Sequence, residues 1–477
     1  MKNIDYQNRT KIIATVGPAI SSKETLRSLI LNGVDVFRVN FSHGAYADHK
    51  KVIDTILELN SELDTYVAIL ADLQGPKLRV GEVENNGVEL VEGAELEFSN
   101  TQCLGNQQKV YMSYQYFAQD VAIGDIILID DGKLKLEVVA TNKVDTVKAR
   151  VIYGGILSSK KGVNLPKTKI SLPSLTEKDI ADAEFALSQN VDWIALSFVR
   201  TVTDIADLKD LIKKNKKHAK VIAKIEKPEA LAEINNIIDL ADGIMVARGD
   251  LGVELPFHEV PLMQKMIVER CIRYAKPVII ATQMMESMIH NFSPTRAEAN
   301  DVANAVIDGA SALMLSGETS IGKYPIQVIQ SMQEIINYTE KNGYTYNREH
   351  TPVVMNHTFI PDIICSSACS MARHAHAKNI IVLTSSGYTA FRIASHRPDA
   401  NIFAFTPDKG LLRQMSLLWG VRAYIHDQFF STNDSIKYTI DFLKDKKLIE
   451  DDCLVVHVGS IPLNRKGQTN IVKLTNV

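Results

Sequence analysis

Between Val221 and Glu254 the chain reads VIAKIEKPEALAEINNIIDLADGIMVARGDLGVE. Two short apolar runs, 221–225 and 243–247, each end in charged residues: Lys224 and Glu226 in the first, Arg248 and Asp250 in the second. Strand period is two, so Lys224 and Glu226 share one face. Residues 228–240 carry apolar positions at helical spacing, which makes the stretch a βαβ unit with parallel strands. Such sheets place their sites at the carboxyl ends of the strands. Two carboxylates from neighbouring strand ends supply half of a shell for a hard cation, and substrate oxygens would complete it. A nearby ammonium suits an enolate or a transferring phosphoryl group. The same three side chains could instead be an ion-pair network that closes the strand ends.

These residues need elements to hold them. Eight apolar runs of strand type can be marked, at 11–17, 36–42, 66–72, 193–198, 221–226, 243–248, 277–282 and 310–316. Helical patterns mostly separate them, at 23–31, 48–59, 177–188, 204–213, 228–240, 261–274 and 296–307, and a last one at 325–340 follows the eighth run. Eight strands alternating with helices predict a closed (β/α)8 TIM barrel. Polar residues collect at the predicted carboxyl ends: Arg38, Asn40, Ser42, Asp72, Lys224, Glu226, Asp250, Thr282 and Ser316. Arg38 offers forked donors for phosphate oxygens, or a partner for Asp72.

The rhythm breaks between Asp72 and Leu175, where alternating runs at 96–99, 126–129, 134–139 and 146–152 are set among Gly and Asn turns. This predicts an inserted all-β domain over 75–172, which leaves at the carboxyl end of the third strand and so overhangs the site as a hinged β-barrel lid. The catalytic barrel then comprises 1–74 and 173–342. From 343 to 477 helices (363–376, 388–395, 410–418, 433–443) alternate with strands (380–383, 402–405, 421–424, 453–458) in a C-terminal α/β domain. With 53 basic and 56 acidic residues and a formal charge of −3, the 477-residue chain has no nucleic-acid footprint. No apolar run reaches membrane-spanning length and no signal peptide is evident, so a cytoplasmic setting is expected. Five scattered cysteines without CxxC fit a reduced compartment, and Cys365 and Cys369 read as small core residues.

KIEKPEAL followed by GIMVARGDLGVE resembles pyruvate kinase, as do NFSHG, ADLQGPKLR, SKKGVNLP, IATQMMESM and LSGETSIG. The resemblance runs in order from Lys11 to Tyr324 and is looser beyond. It implies phosphoryl transfer from phosphoenolpyruvate to ADP, giving pyruvate and ATP. By resemblance Lys224 is the central electrophile, Glu226 and Asp250 hold Mg²⁺ or Mn²⁺, and Arg38, Lys224, Gly249, Asp250 and Thr282 bind substrate. Thr282 helps deliver a proton to the enolate carbon, and Ser316 with Glu318 orders the water involved. Asn40, Phe41, Ser42, His43, Arg79 and Lys161 lie along the nucleotide phosphates, Lys161 reaching over from the lid. A homotetramer is implied as well.

One segment departs from the family's pattern. Many pyruvate kinases bind K⁺ through side chains matching Asn40, Ser42 and Asp72 and the carbonyl of a threonine, which here is Leu73. Where the potassium-requiring type carries Glu, this chain has Lys77. A tethered ammonium can replace the ion without losing its translational freedom, so K⁺ independence is expected. The loop Thr384, Ser385, Ser386, Gly387, Tyr388, Thr389 is a candidate nest for a sugar-phosphate or nucleotide effector, or an ordinary strand–helix turn. Rival readings are a metal-dependent pyruvate or phosphoenolpyruvate aldolase, which has no use for the insertion, and a non-catalytic metabolite sensor, which would be expected to lose Lys224, Glu226 or Asp250.

Overall fold

The computed structural model describes residues 8–166, 168–350, 358–427, 431–461 and 468–477. Eight parallel strands close into a barrel: β1 (Lys11–Thr15), β2 (Val36–Asn40), β3 (Ala68–Asp72), β4 (Trp193–Leu196), β5 (Lys220–Ile225), β6 (Gly243–Ala247), β7 (Val278–Ala281) and β8 (Ala312–Leu315). Each pairs with its neighbours in chain order, and β8 closes on β1. Alternate side chains explain the two cores. One face of each strand packs outward on the helices through Ile12, Ile69, Ile194, Val221, Ile244 and Ile280. The other fills the barrel with Ile13, Val36, Leu70, Trp193, Ile222, Met245 and Ile279. Leu417 from the C-terminal domain joins this inner core, so the barrel has a packed floor and its polar mouth lies at the opposite end.

Seven strands stop one or two residues before the expected ends, where site residues leave strand geometry, and β3 reaches Asp72 as expected. Phe198 (φ 55°) and Thr282 (φ 71°) both adopt left-handed backbone. For a β-branched threonine this is a strained conformation that surrounding contacts must hold. The helix expected over 228–240 is two pieces, Pro228–Ala232 and Ile234–Leu240, broken at Glu233. A helix not foreseen, Arg248–Glu254, begins directly after β6. It carries Gly249 and Asp250 in its first turn.

The insertion builds a six-stranded sheet, in the order Val163–Asn164, Ile126–Ile129, Leu134–Thr141, Thr146–Tyr153, Glu95–Ser99 and Lys109–Tyr111, with Gly87–Leu90 and Gly155–Ser158 as a separate ribbon. Isolated bridges Arg79–Gly162 and Val80–Met112 tie the entering chain to both sides of the sheet. Its core is its own, centred on Leu96, Phe98, Val110, Phe117, Leu136 and Val147.

The C-terminal domain is a five-stranded sheet in the order Val421–Ile425, Asn401–Thr406, Asn379–Leu383, Leu454–Gly459 and Ile471–Asn476. The last strand is antiparallel and was not apparent in the sequence, where its Ile471, Val472, Lys473, Leu474 pattern is short and partly exposed. All five cysteines are free, and Cys365 and Cys369 are buried in this domain's core. Two histidines here are held neutral. Burial, with Lys473 nearby, lowers His457 to about 4, and burial, with His350 and Arg392 nearby, lowers His396 to about 3. Below the unfolded value of about 6.5 the unfolded chain takes up protons that the folded chain refuses. Stability is therefore present above pH 6.5 and is lost as pH falls toward 4. For His457 the loss is expected to be roughly 2 kcal/mol. Calorimetric melts at pH 7.5 and 5 check this: His457→Gln should reduce the drop, and an equal drop in the variant would contradict it.

Candidate active site

The carboxyl ends of β2, β3, β4 and β5 converge on one ammonium. Lys224 Nζ lies 2.7 Å from Ser197 Oγ, 3.0 Å from Glu226 Oε1 and 3.2 Å from Asp72 Oδ1. Asp72 Oδ2 accepts from Arg38 Nε at 2.6 Å, and Arg38 Nη1 donates to Thr15 Oγ1 at 3.1 Å. Glu226 Oε2 accepts the Phe198 amide at 2.7 Å. The left-handed turn at Phe198 aims that N–H at the carboxylate. Both carboxylate side chains are about 1% exposed, against 11% for Lys224 and 12% for Arg38, so the cluster is buried yet open on its cationic side.

Their electrostatics differ. Burial opposes ionisation of Asp72, but Lys224 and Arg38 together hold its carboxyl below the ordinary value. Burial pushes Glu226 up; Lys224 pulls it back, while Asp250 repels it further. Burial alone would lower the Lys224 ammonium, and Asp72 and Glu226 instead keep it above the usual lysine range. Asp72 thus faces two cations, whereas Glu226 faces one cation and a second anion. Asp250 is half-buried and has no hydrogen-bond or ion-pair partner among the described residues. Among those residues no group of three or more His, Cys, Asp or Glu side chains is arranged for a metal. A mutually repelling Glu226–Asp250 pair could serve as two donors to a hard divalent cation, leaving the rest of its shell for water and substrate oxygens.

Thr282 joins the same mouth from β7. Its Oγ1 donates to Ala281 O at 2.6 Å and accepts the Gly249 amide at 2.7 Å. Arg248 Nη2 donates to Thr282 O at 2.7 Å, and Arg248 Nη1 pairs with Asp301 at 2.7 Å. This brace holds the positive φ at Thr282. Ser316 donates its amide to Glu318 Oε2 at 2.7 Å, and Glu318 also accepts from the Met285 amide. Burial raises the Glu318 carboxyl.

Other expected residues have their side-chain contacts outside the Lys224 cluster, although Asn40 sits in strand register with Asp72. Asn40 Oδ1 accepts the Ser42 amide at 3.1 Å, Phe41 is buried and His43 is exposed. Arg79 Nη1 donates to Lys160 O, and Lys161 pairs with Asp130 at 2.8 Å inside the insertion. Lys77 is exposed and lines a cleft with Asp131, Asn164, Phe198, Arg200, Asp250 and others, while Asp72 is ion-paired with Arg38 and Lys224, its Oδ1 taking no hydrogen bond. Leu73 donates its amide to Ala195 O and is buried. In the C-terminal loop Gly387 (φ 82°) donates its amide to Thr384 Oγ1, and Thr389 Oγ1 meets Thr469 Oγ1 at 2.6 Å; Ser385 and Ser386 complete the turn. Ser197, Phe198 and Thr15 were not singled out in the sequence, and Arg248 was marked only as a charge at the end of its strand run. The strand alternation that exposed Lys224 and Glu226 could have drawn attention to Ser197 at the end of its own run.

The family description "Pyruvate kinase, barrel domain" matches residues 7–329, and "Pyruvate kinase, alpha/beta domain" matches 362–475. Among curated relatives, a pyruvate kinase of Agrobacterium vitis is 42% identical over 474 residues, covering 99% of each chain. One from Geobacillus stearothermophilus is 40% identical over 475 residues, covering 98% of this chain and 80% of the relative. A crystal structure of a pyruvate kinase from Cryptosporidium parvum superposes with a TM-score of 0.93 at 34% identity, covering 100% of this chain and 97% of that one.

Proposed function

Since the chain belongs to the pyruvate kinase family and moves a phosphoryl group from phosphoenolpyruvate to ADP, we propose that the Lys224–Glu226–Asp72–Arg38 cluster is where that transfer takes place. The observation that carries this reading is a buried ammonium at 3.0 and 3.2 Å from two carboxylates beside the uncommitted Asp250. The matches give no support to the aldolase or sensor readings.

An oxygen of the ADP β-phosphate attacks phosphorus, the bond from phosphorus to the enol oxygen breaks, and the enolate left behind is protonated at carbon to give pyruvate. Lys224 meets the charge on the transferring phosphoryl and on the departing enolate oxygen. Arg38, fixed by Asp72 and Thr15, holds phosphate oxygens with the guanidinium edge left free by those two partners. Gly249 and Thr282 seat the substrate carboxylate end, and the Thr282 hydroxyl passes a proton toward the enolate carbon, with Ser316 and Glu318 ordering water. Glu226 and Asp250 would hold Mg²⁺ or Mn²⁺, which when bound would supply neutralisation of the anionic charge that develops during transfer. Asn40, Ser42, His43, Arg79 and Lys161 take the nucleotide phosphates; Lys161 leaves Asp130 as the insertion closes over the mouth. A lactate dehydrogenase-coupled assay tests the reading. Pyruvate should form only with ADP present and stop on chelation; ADP-independent pyruvate formation would overturn it.

The same reading makes K⁺ dispensable. The segment carries Leu73 and Lys77, and Asp72 has two fixed cations at hand. In potassium-free, sodium-free buffer, adding K⁺ should change turnover by less than about 2-fold, and Lys77→Glu should create a requirement. A several-fold gain by the unaltered enzyme would refute this. A cytoplasmic homotetramer with a phosphate-bearing effector at 384–389 completes the proposal; among the described residues no helix is long and apolar enough to cross a membrane.

A further inference from the structure

We infer that Ser197 is a positioning residue that aims the Lys224 ammonium, an inference that rests on Lys224 being the electrophile of the transfer. The Lys224 ammonium donates one hydrogen bond, to Ser197 Oγ, while Glu226 Oε1 and Asp72 Oδ1 stand at ion-pair distance and Asp72 Oδ1 takes no hydrogen bond. They are not equivalent. Glu226 is also wanted by the divalent ion, and Asp72 divides itself between Lys224 and Arg38. Ser197 is the neutral member, so its hold on Lys224 does not depend on whether cation or anion has entered the site.

Ser197 is itself fixed. It is 2% exposed, and its Oγ lies 2.7 Å from Leu73 O. A hydroxyl has one proton, and a carbonyl can only accept. Ser197 therefore donates to Leu73 and accepts from Lys224, a direction that admits no reversal. The next residue, Phe198, gives its amide to Glu226 Oε2 through its left-handed backbone. Two consecutive residues at the end of β4 thus set the two reactive side chains of β5, one by a side chain and one by an amide. Gly75 packs against them: a Cβ there would stand 2.9 Å from Ser197 Cβ and 2.8 Å from Phe198 Cδ2. Without the hydroxyl, Lys224 relaxes onto Asp72 and Glu226, away from the phosphoryl it must meet.

Ser197→Ala removes the acceptor without adding bulk, and Ser197→Cys fills the volume with a weak hydrogen-bonding group. Both are expected to lose roughly 10- to 100-fold in kcat, with KM for phosphoenolpyruvate shifted less than about 3-fold. In a Lys224→Met background, Ser197→Ala should cost little more, because its effect runs through Lys224. Wild-type kcat in Ser197→Ala, restored kcat in Ser197→Cys, or a full additional loss on top of Lys224→Met would each overturn the inference. Wild-type turnover in Lys224→Met alone would instead overturn the reading of Lys224 on which it stands.

Discussion

Lys224→Met should fold, bind phosphoenolpyruvate and turn over roughly 10²–10³-fold more slowly than the unaltered enzyme. The methionine keeps the apolar stem but removes the charge that grows in value as the enolate and the free phosphoryl develop. An interaction made mainly in the transition state lowers kcat and leaves KM nearly alone. The substitution also leaves Glu226 buried without its ammonium, while Asp72 keeps Arg38. Removing one partner of a buried pair costs about 3–5 kcal/mol where nothing else compensates, so the melting temperature must be followed in parallel. A folded variant with near-normal turnover would remove Lys224 from the chemistry; a KM that rises as steeply as kcat falls would make it a ground-state binder.

The second large effect concerns the acidic pair. Glu226→Gln keeps an oxygen for the Phe198 amide but discards the charge, and Asp250→Asn does the same at a side chain with no structural partner among the described residues. Loss of partners that merely support metal ligands costs about 10- to 100-fold in metal affinity, and loss of a ligand charge should cost at least that. The Mg²⁺ concentration giving half-maximal activity is therefore expected to rise by more than about 10-fold in each variant. Asp250→Asn should leave stability within about 0.5 kcal/mol, as for a side chain outside any buried network. Calorimetric Mg²⁺ titration beside the activity curve separates metal binding from chemistry. An unchanged half-saturation in Asp250→Asn would mean that the ion, if held here at all, does not use that carboxylate.

The barrel was legible in the sequence because its signal is repeated: each strand is a short apolar run, and six of the eight runs carry at their carboxyl end a polar residue that a core would not keep. Lys224, Glu226 and Asp72 could be placed together because strand period and strand order fix which ends face the mouth. What the sequence hid were contacts made by backbone. Nothing in the letters of Phe198 announces a left-handed amide aimed at Glu226, and nothing in Arg248 announces a brace on the Thr282 carbonyl. The helix Arg248–Glu254 was missed because its seven residues are too short for a periodic pattern and begin where the strand run ends. Lys161 and Lys77 show a different limit. Their sequence positions point toward the nucleotide and the monovalent-ion site, yet here one pairs with Asp130 and the other is exposed. Both are long side chains, and sequence position fixes the backbone they leave from rather than where their ammonium groups settle.

The most direct measurement is a crystal structure grown with Mn²⁺ and oxalate, a stand-in for enolpyruvate, with the metal located by its anomalous signal. The expected result is one ion within about 2.0–2.3 Å of both Glu226 and Asp250 oxygens, oxalate completing its shell, and Lys224 Nζ within hydrogen-bonding distance of oxalate while still held by Ser197. An ion bound away from that pair, or a Lys224 ammonium turned from the oxalate, would contradict the assignment.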